Sequence, residues 1–162
     1  MSTTAHQQNK WLNQSLLWTV LLFILTGFHH YYGGLVYRTP WRQHIVPAGG
    51  AAIVLIVLAL YLYRHYHKRI FLMMYLAIVA LLFGLGITVF EGAYNHLLKN
   101  IFYFGGLNMH TWRALYPAPT YQQPDNVLIE TTGIAQFFVG GVMLYYLWRV
   151  YKQATPTASA RA

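Results

Sequence analysis

Four long apolar segments alternate with short polar segments along the chain. Apolar residues dominate the ranges 12–32, 46–63, 70–92 and 127–150, and the third range continues as a helical pattern to about residue 104. Its unbroken apolar run, from Ile70 to Phe90, would form an α-helix about 31 Å long, which matches the hydrocarbon core of a bilayer. The pattern predicts an all-α fold, an antiparallel bundle of four transmembrane helices.

The connections between these spans predict one membrane domain at residues 1–152. A tight basic turn at 64–69 joins spans two and three, and the longest loop, at 107–126, is rich in proline and aromatic residues. That mixture predicts an ordered cap over the bundle. Gly105 and Gly106 predict the end of the third helix, and Asp125 and Asn126 the cap of the fourth. The small polar residues at 153–162 predict a disordered tail.

Composition excludes several classes of protein. Hydrophobic residues make up 57% of the chain and charged residues only 9%, whereas soluble domains carry about 25% charged residues. The chain has no cysteine, which excludes disulfides, thiolate metal sites and iron–sulfur clusters. The net charge of +8 comes from basic residues beside the spans. We attribute it to contact with anionic lipids at the cytoplasmic face of the bilayer and expect no binding of nucleic acid.

The distribution of basic residues predicts the topology. Four spans place both termini on one side of the membrane, and seven basic residues lie on that side against four on the other. Because basic residues favour the cytoplasmic side, we predict a cytoplasmic (inner) membrane protein with both termini in the cytoplasm. The seven are Lys10, Arg64, Lys68, Arg69, Arg149, Lys152 and Arg161; the four are Arg38, Arg42, Lys99 and Arg113.

Histidine and carboxylate side chains gather at the outer ends of the predicted spans. All three carboxylates of the chain lie there, together with five of its eight histidines. Such side chains are ligands of Zn²⁺, Cu²⁺ and non-haem iron, and polar faces within lipid should turn towards one another. We therefore predict that spans one, three and four converge on a metal site. Its predicted ligands are His29, His30, Glu91, His96 and Glu130, with Asn95, Asp125 and His110 in support.

Simpler roles remain open for these residues. Glu130 suits the positive end of a helix dipole, and His96 the negative end. Glu91 could instead be a structural partner of an arginine or lysine, namely Arg38, Arg42 or Lys99. His29 and His30 could be interfacial anchors. Glu91 and His96 also point about 140° apart on an α-helix, so a straight α-helix would not aim both at one ion.

Three functions follow from these observations. The leading hypothesis is an outward-facing polar site that binds a metal ion or a small polar ligand, for metal handling or for a small membrane enzyme. The second is an accessory or assembly subunit, which would use small-residue helix faces to bind other membrane subunits or itself. The third is a b-type haem protein, with His30 and His96 as a ligand pair.

Overall fold

The computed structural model describes residues 3–154, apart from the side chains of residues 3–6 and 8. The predicted tail at 153–162 therefore falls almost wholly outside the described residues. Its first two positions, 153 and 154, belong to the last helix, so the helix extends beyond the predicted boundary at 150. The prediction of disorder for 155–162 stays a prediction.

The described chain is all-α and contains four helices that are long and apolar enough to cross a membrane, which confirms the predicted fold class. Its ordered segments follow in chain order. They are α1 (Thr3–Val36), a short 3-10 helix (Pro40–His44), α2 (Ile45–Tyr66), α3 (Arg69–Ile78), a π-helix (Val79–Leu98), α4 (Lys99–Phe104), α5 (Met109–Leu115) and α6 (Val127–Ala154). Helix α3, the π-helix and α4 form the continuous third span.

The four spans pack in a ring. Helix α6 lies against α1 on one side and against the π-helix on the other, and α2 lies against α1 and α3. The apolar core occupies the half of the bundle near the termini, around residues such as Leu12, Tyr75, Met143 and Val150, all of which are fully buried. Buried ionisable side chains, namely His29, His96, Lys99 and Glu130, lie towards the other end, whereas the buried polar groups near the termini are the hydroxyls of Ser15 and Thr19. The bundle is therefore apolar at one end and polar at the other.

The π-helix of the third span changes which of its residues face the bundle. Its buried positions recur every four or five residues, at 79, 83–84, 88, 92 and 96, whereas an α-helix would bury positions three or four apart. The Thr88 hydroxyl donates to the Phe83 carbonyl oxygen at 2.8 Å, five residues earlier. Gly92 lies directly against the backbone of Phe137 in α6. The π-helix thus packs one continuous face of buried residues against α6.

The aromatic loop after the third span is ordered, as predicted, and it contains a helix, α5, that the sequence pattern did not predict. Trp112 of α5 is buried and donates through Nε1 to the Lys99 carbonyl oxygen at 3.4 Å. The Tyr116 hydroxyl donates to the Tyr94 carbonyl oxygen at 3.1 Å. Gly106, with φ of +81°, follows the end of α4, and the Asn126 side chain accepts from the Ile129 backbone N–H at 3.1 Å. Both predicted helix ends are therefore confirmed.

Candidate metal centre

Three elements bring histidine and carboxylate side chains together at the end of the bundle that lies away from the termini. Helix α1 contributes His29 and His30, the π-helix contributes Glu91 and His96, and α6 contributes Glu130 in its first turn. His29, His96 and Glu130 are buried, while His30 and Glu91 are partly buried. The expected convergence of spans one, three and four is present.

One oxygen of Glu91 is the centre of this cluster. Its Oε1 atom lies 3.6 Å from Nε2 of His29, 3.5 Å from Nε2 of His30 and 3.5 Å from Nε2 of His96. The ligand atoms of His29, Glu91 and His96 all lie within 4.8 Å of one another. These contacts to Oε1 are longer than an ordinary N–H···O hydrogen bond, which spans about 2.7–3.2 Å. The side chains approach a common point without bonding each other closely.

The π-helix explains why Glu91 and His96 can share that point. In an α-helix, residues four apart share a face. In a π-helix the repeating hydrogen bond joins residues five apart, so residues five apart also come to lie on one face. Glu91 and His96 are five apart, and their side chains meet. The expectation that these two side chains point apart was wrong because it assumed an α-helix.

The hydrogen bonds of His96 define which of its nitrogens carries the proton. Its Nδ1 lies 3.0 Å from Oε2 of Glu130, and an ionised carboxylate can only accept. Nδ1 of His96 therefore carries the hydrogen and donates it. In the neutral imidazole, Nε2 then presents its lone pair towards Oε1 of Glu91.

The same reasoning applies to His29 through a different partner. Its Nδ1 lies 2.9 Å from Oγ1 of Thr132. The Thr132 hydroxyl donates its hydrogen to the Leu128 carbonyl oxygen at 2.6 Å, so its oxygen is left to accept from His29. Nδ1 of His29 therefore donates, and Nε2 of His29 also presents a lone pair towards Glu91.

With both imidazoles neutral, three acceptor atoms would face one another around a common point. Glu91 is itself held by Asn95, whose Nδ2 donates to the second carboxylate oxygen, Oε2, at 2.7 Å. This leaves Oε1 facing Nε2 of His29 and Nε2 of His96. Acceptors that face one another repel unless a cation lies between them, because neither has a hydrogen to share. The arrangement fits a metal ion, or a proton held by one of the imidazoles.

The contacts of Glu91 Oε1 have lengths that are compatible with ligands of one metal ion. Zinc binds imidazole nitrogen and carboxylate oxygen at about 2.0–2.2 Å in a tetrahedral arrangement, which separates neighbouring ligand atoms by about 3.3–3.5 Å. The contacts of Glu91 Oε1 are 3.5–3.6 Å long. Metal-bound histidines also usually donate their second nitrogen to a carboxylate or another acceptor, as His96 and His29 do.

Glu130 lies behind His96, on the far side of its ring from Glu91. Its Oε1 accepts from Nζ of Lys99 at 2.8 Å, and its Oε2 accepts from Nδ2 of Asn100 at 2.5 Å. Lys99 thus pairs with Glu130 and not with Glu91, and the basic side chains within 4.0 Å of the Glu91 carboxylate in the described chain are all histidines. Glu130 is positioned to orient His96 and is less well placed to be a ligand.

Gly133 provides the space that the His96 ring occupies. A methyl group at this position would lie 2.1 Å from Cγ of His96 and 2.4 Å from its Nδ1. Any residue with a side chain would therefore displace the imidazole. Gly133 is thus a position of close helix packing whose packing partner is a candidate ligand.

Two of the predicted supporting residues lie elsewhere. Asp125 accepts a hydrogen bond of 2.6 Å from the Tyr37 hydroxyl at the surface. Burial and this carboxylate raise the pKa of Tyr37, so the hydroxyl stays protonated and can donate. The backbone N–H of His110 donates to the Asn108 side chain at the start of α5, and His110 is exposed. Of the supporting residues, Asn95 alone contacts a member of the cluster.

Other residues of the site were not predicted from the sequence. Asn100 follows His96 by four residues, so helical periodicity placed it on the same face and could have revealed it. Thr132 gave no comparable signal, because threonine is common in membrane helices and its role depends on the position of α1. Both now belong to the hydrogen-bonded surroundings of the cluster.

A cavity of about 190 Å³ lies beside the cluster. Its inner wall includes His30, Glu91 and His96, so the candidate metal position borders an open space. Its outer wall comes from the two loops at this end of the bundle, with Tyr37, Trp41, Arg42, Thr120, Tyr121 and Gln122.

No protein-family model matches this chain, and neither the curated proteins nor the solved structures include one that is detectably similar to it. The proposals below therefore depend on the fold and on the geometry of the site.

Proposed function

We propose that this protein binds a divalent transition metal ion in the membrane, at the end of the bundle away from the termini. The ligands would be Nε2 of His29, Nε2 of His96 and Oε1 of Glu91, with His30 available as a fourth. The observation that carries the proposal is the convergence of two imidazole Nε2 atoms on one carboxylate oxygen, while each Nδ1 lies within hydrogen-bond distance of another side chain. Imidazole and carboxylate ligands suit Zn²⁺, Cu²⁺ or Fe²⁺.

The neighbouring residues would support such a site. Glu130 and Thr132 would fix the tautomers and ring orientations of the two histidines, and Asn95 would fix the carboxylate. Removing partners of this kind typically weakens metal binding by about 10–100-fold. The adjacent cavity gives the ion an open side, which catalytic metal sites have and closed structural sites lack. We propose metal-dependent chemistry or metal exchange on that side.

The orientation in the membrane is also a proposal. The excess of basic residues on the side of the termini and the 64–69 turn supports a cytoplasmic membrane location, with the termini in the cytoplasm and the metal site facing outward. The same excess supports contact with anionic lipids at the cytoplasmic face.

The geometry favours an ion over haem. The rings of His29 and His96 touch edge to face, with centroids 4.6 Å apart. His30 and His96, the pair considered from the sequence, both contact the same oxygen of Glu91. A haem plane between either pair would have to displace a histidine ring or the carboxylate. An absorption spectrum of the purified protein would detect a Soret band if haem were bound.

Metal titration of the purified protein tests the proposal. The wild type in detergent, stripped with chelator, would be titrated with Zn²⁺, Cu²⁺ and Fe²⁺ beside the variants His29→Ala and His96→Ala. We expect saturable binding in the wild type and a loss of at least about 100-fold in each variant, since each removes one direct ligand. His110→Ala is the matched control, because His110 is exposed on α5. Equal binding by His96→Ala and the control would refute the site.

A further inference from the structure

The cavity beside the cluster has a positively charged outer wall. Its volume of about 190 Å³ is somewhat larger than an engineered cavity of about 150 Å³ that holds benzene. It can therefore hold a molecule of about that size. Two cations, Lys99 and Arg42, and two carboxylates, Glu91 and Glu130, border it. Glu130 balances the charge of Lys99 at 2.8 Å, and Glu91 contacts histidines.

Arg42 has no such partner. Its guanidinium carbon lies 5.3 Å from the centre of the Tyr37 ring and 5.4 Å from the centre of the Trp41 ring. One terminal nitrogen donates to the Thr120 carbonyl oxygen at 3.2 Å. Its Nε is buried and has no hydrogen-bond partner, and no ion pair within the described chain includes Arg42.

A buried donor without a partner is costly, and a charged donor is more costly than an ordinary polar one. Arg42 belongs to the cavity wall, and its guanidinium charge has no carboxylate partner in the described chain, so it is suited to bind a ligand that supplies one. Guanidinium groups pair best with carboxylates and phosphates, through two parallel hydrogen bonds.

We infer that this cavity binds a small oxyanion, a carboxylate or a phosphate, with Arg42 as its charge partner. The aromatic side chains of Tyr37, Trp41 and Tyr121 give the rest of the ligand an apolar wall. Within the proposed function, this oxyanion would be the substrate or exogenous ligand that approaches the metal from its open side. The role of Arg42 follows from its own contacts, so it stands even if no metal binds.

The oxyanion has two plausible sources at this end of a membrane bundle. One is a free small carboxylate such as benzoate, which matches the volume and the aromatic wall. The other is the phosphate of a lipid headgroup whose acyl chains remain in the bilayer. Both would use the same guanidinium, so one pair of titrations separates them.

The experiment is calorimetric titration of the full-length protein in a neutral detergent with benzoate, with the uncharged benzamide, and with a short-chain phosphatidylglycerol. The variants are Arg42→Gln and Arg42→Lys, and the control is Arg113→Gln, because Arg113 is exposed on α5. Helical content and melting temperature of each variant establish that it is folded. Metal content is measured on the same samples.

We expect the wild type and Arg113→Gln to bind benzoate at least about tenfold more tightly than benzamide, as a charge-assisted hydrogen bond requires. Folded Arg42→Gln should lose that preference, and Arg42→Lys should keep part of it. Binding of phosphatidylglycerol without benzoate, lost in Arg42→Gln, would identify the oxyanion as a lipid headgroup.

Folded Arg42→Gln that binds both anions as the wild type does would overturn the inference. So would a wild type that binds neither. Anion binding that depends on Arg42 in a protein without metal would support this inference and contradict the proposed metal site. Metal binding without anion binding would support the proposed metal site and contradict this inference.

Discussion

Replacement of Gly133 by alanine tests whether the position of His96 controls metal binding. Gly133 has no side chain and therefore makes no side-chain contact with a proposed metal ligand. Its substitution acts only by taking away space that the imidazole of His96 fills. The added methyl carbon would lie 2.1 Å from Cγ of His96, whereas ordinary contact begins at 3.4 Å.

The ring would therefore have to retreat by more than 1 Å, the difference between those two distances. Metal–ligand distances tolerate deviations of only about 0.2 Å. A shift of that size also breaks the hydrogen bond of 3.0 Å between His96 Nδ1 and Glu130. We expect metal affinity to fall by about 100-fold or more, beyond the usual effect of altering a supporting residue. Overpacking should also lower the free energy of unfolding by about 1–3 kcal/mol.

The assay is metal titration combined with thermal unfolding in detergent. Gly141→Ala is the matched control, because it lies in the same helix and a methyl group there would meet nothing within 4 Å. The control should keep wild-type affinity and be as stable as the wild type or slightly more so, since alanine favours a helix over glycine. Wild-type metal affinity in Gly133→Ala would refute the argument that His96 is a positioned ligand.

Four further predictions follow from the structure. Glu91→Gln should lose metal. Its metal-free form should be at least as stable as the metal-free wild type, because an amide can donate to the facing imidazole nitrogens. A decrease of about 3–5 kcal/mol in the free energy of unfolding would instead indicate a structural ion pair. Gly140→Ala should be destabilised while it keeps its metal affinity, because the methyl group would collide with Thr88 at 1.9 Å, a residue outside the cluster; titration and melting of one sample decide this. Reporter fusions after Arg69 and Arg113 should report opposite sides of the membrane, with Arg69 in the cytoplasm, and a cytoplasmic Arg113 fusion would invert the proposed orientation. Burial raises the pKa of Tyr116 to about 12, above the usual value of about 10. The protonated Tyr116 side chain therefore stabilises the fold fully below pH 10, and this contribution is lost as the pH rises through 12. Tyr116→Phe should weaken this alkaline loss of stability, and an unchanged pH profile would count against the prediction.

Hydrophobic patterning was enough to predict the bundle. Each apolar run is long enough to cross the bilayer once as a helix, so the number of such runs gives the number of spans. The same logic predicted that Glu91 would face the other helices, since a carboxylate at the end of a membrane span needs a partner. The structure agrees, and it places Glu91 against three histidines.

The parts that could not be predicted depend on local departures from regular geometry. The π-helix places Glu91 and His96 together, and hydrophobic periodicity calculated for an α-helix separates them. The partner of Lys99 also depends on the packing of α6, because the choice between Glu91 and Glu130 is decided by distances between helices. Thr132 and Gly133 acquire roles only when the positions of His29 and His96 are known.

X-ray absorption spectroscopy of the metal-loaded wild type tests the central claim most directly. The structure predicts a first shell of nitrogen and oxygen at about 2.0–2.2 Å, with the outer-shell scattering of at least two imidazoles and without sulfur. Imidazole scattering should weaken in His96→Ala and stay unchanged in His110→Ala. A shell of oxygen alone, or a spectrum that is the same in His96→Ala as in the wild type, would contradict a metal centre built from His29, Glu91 and His96.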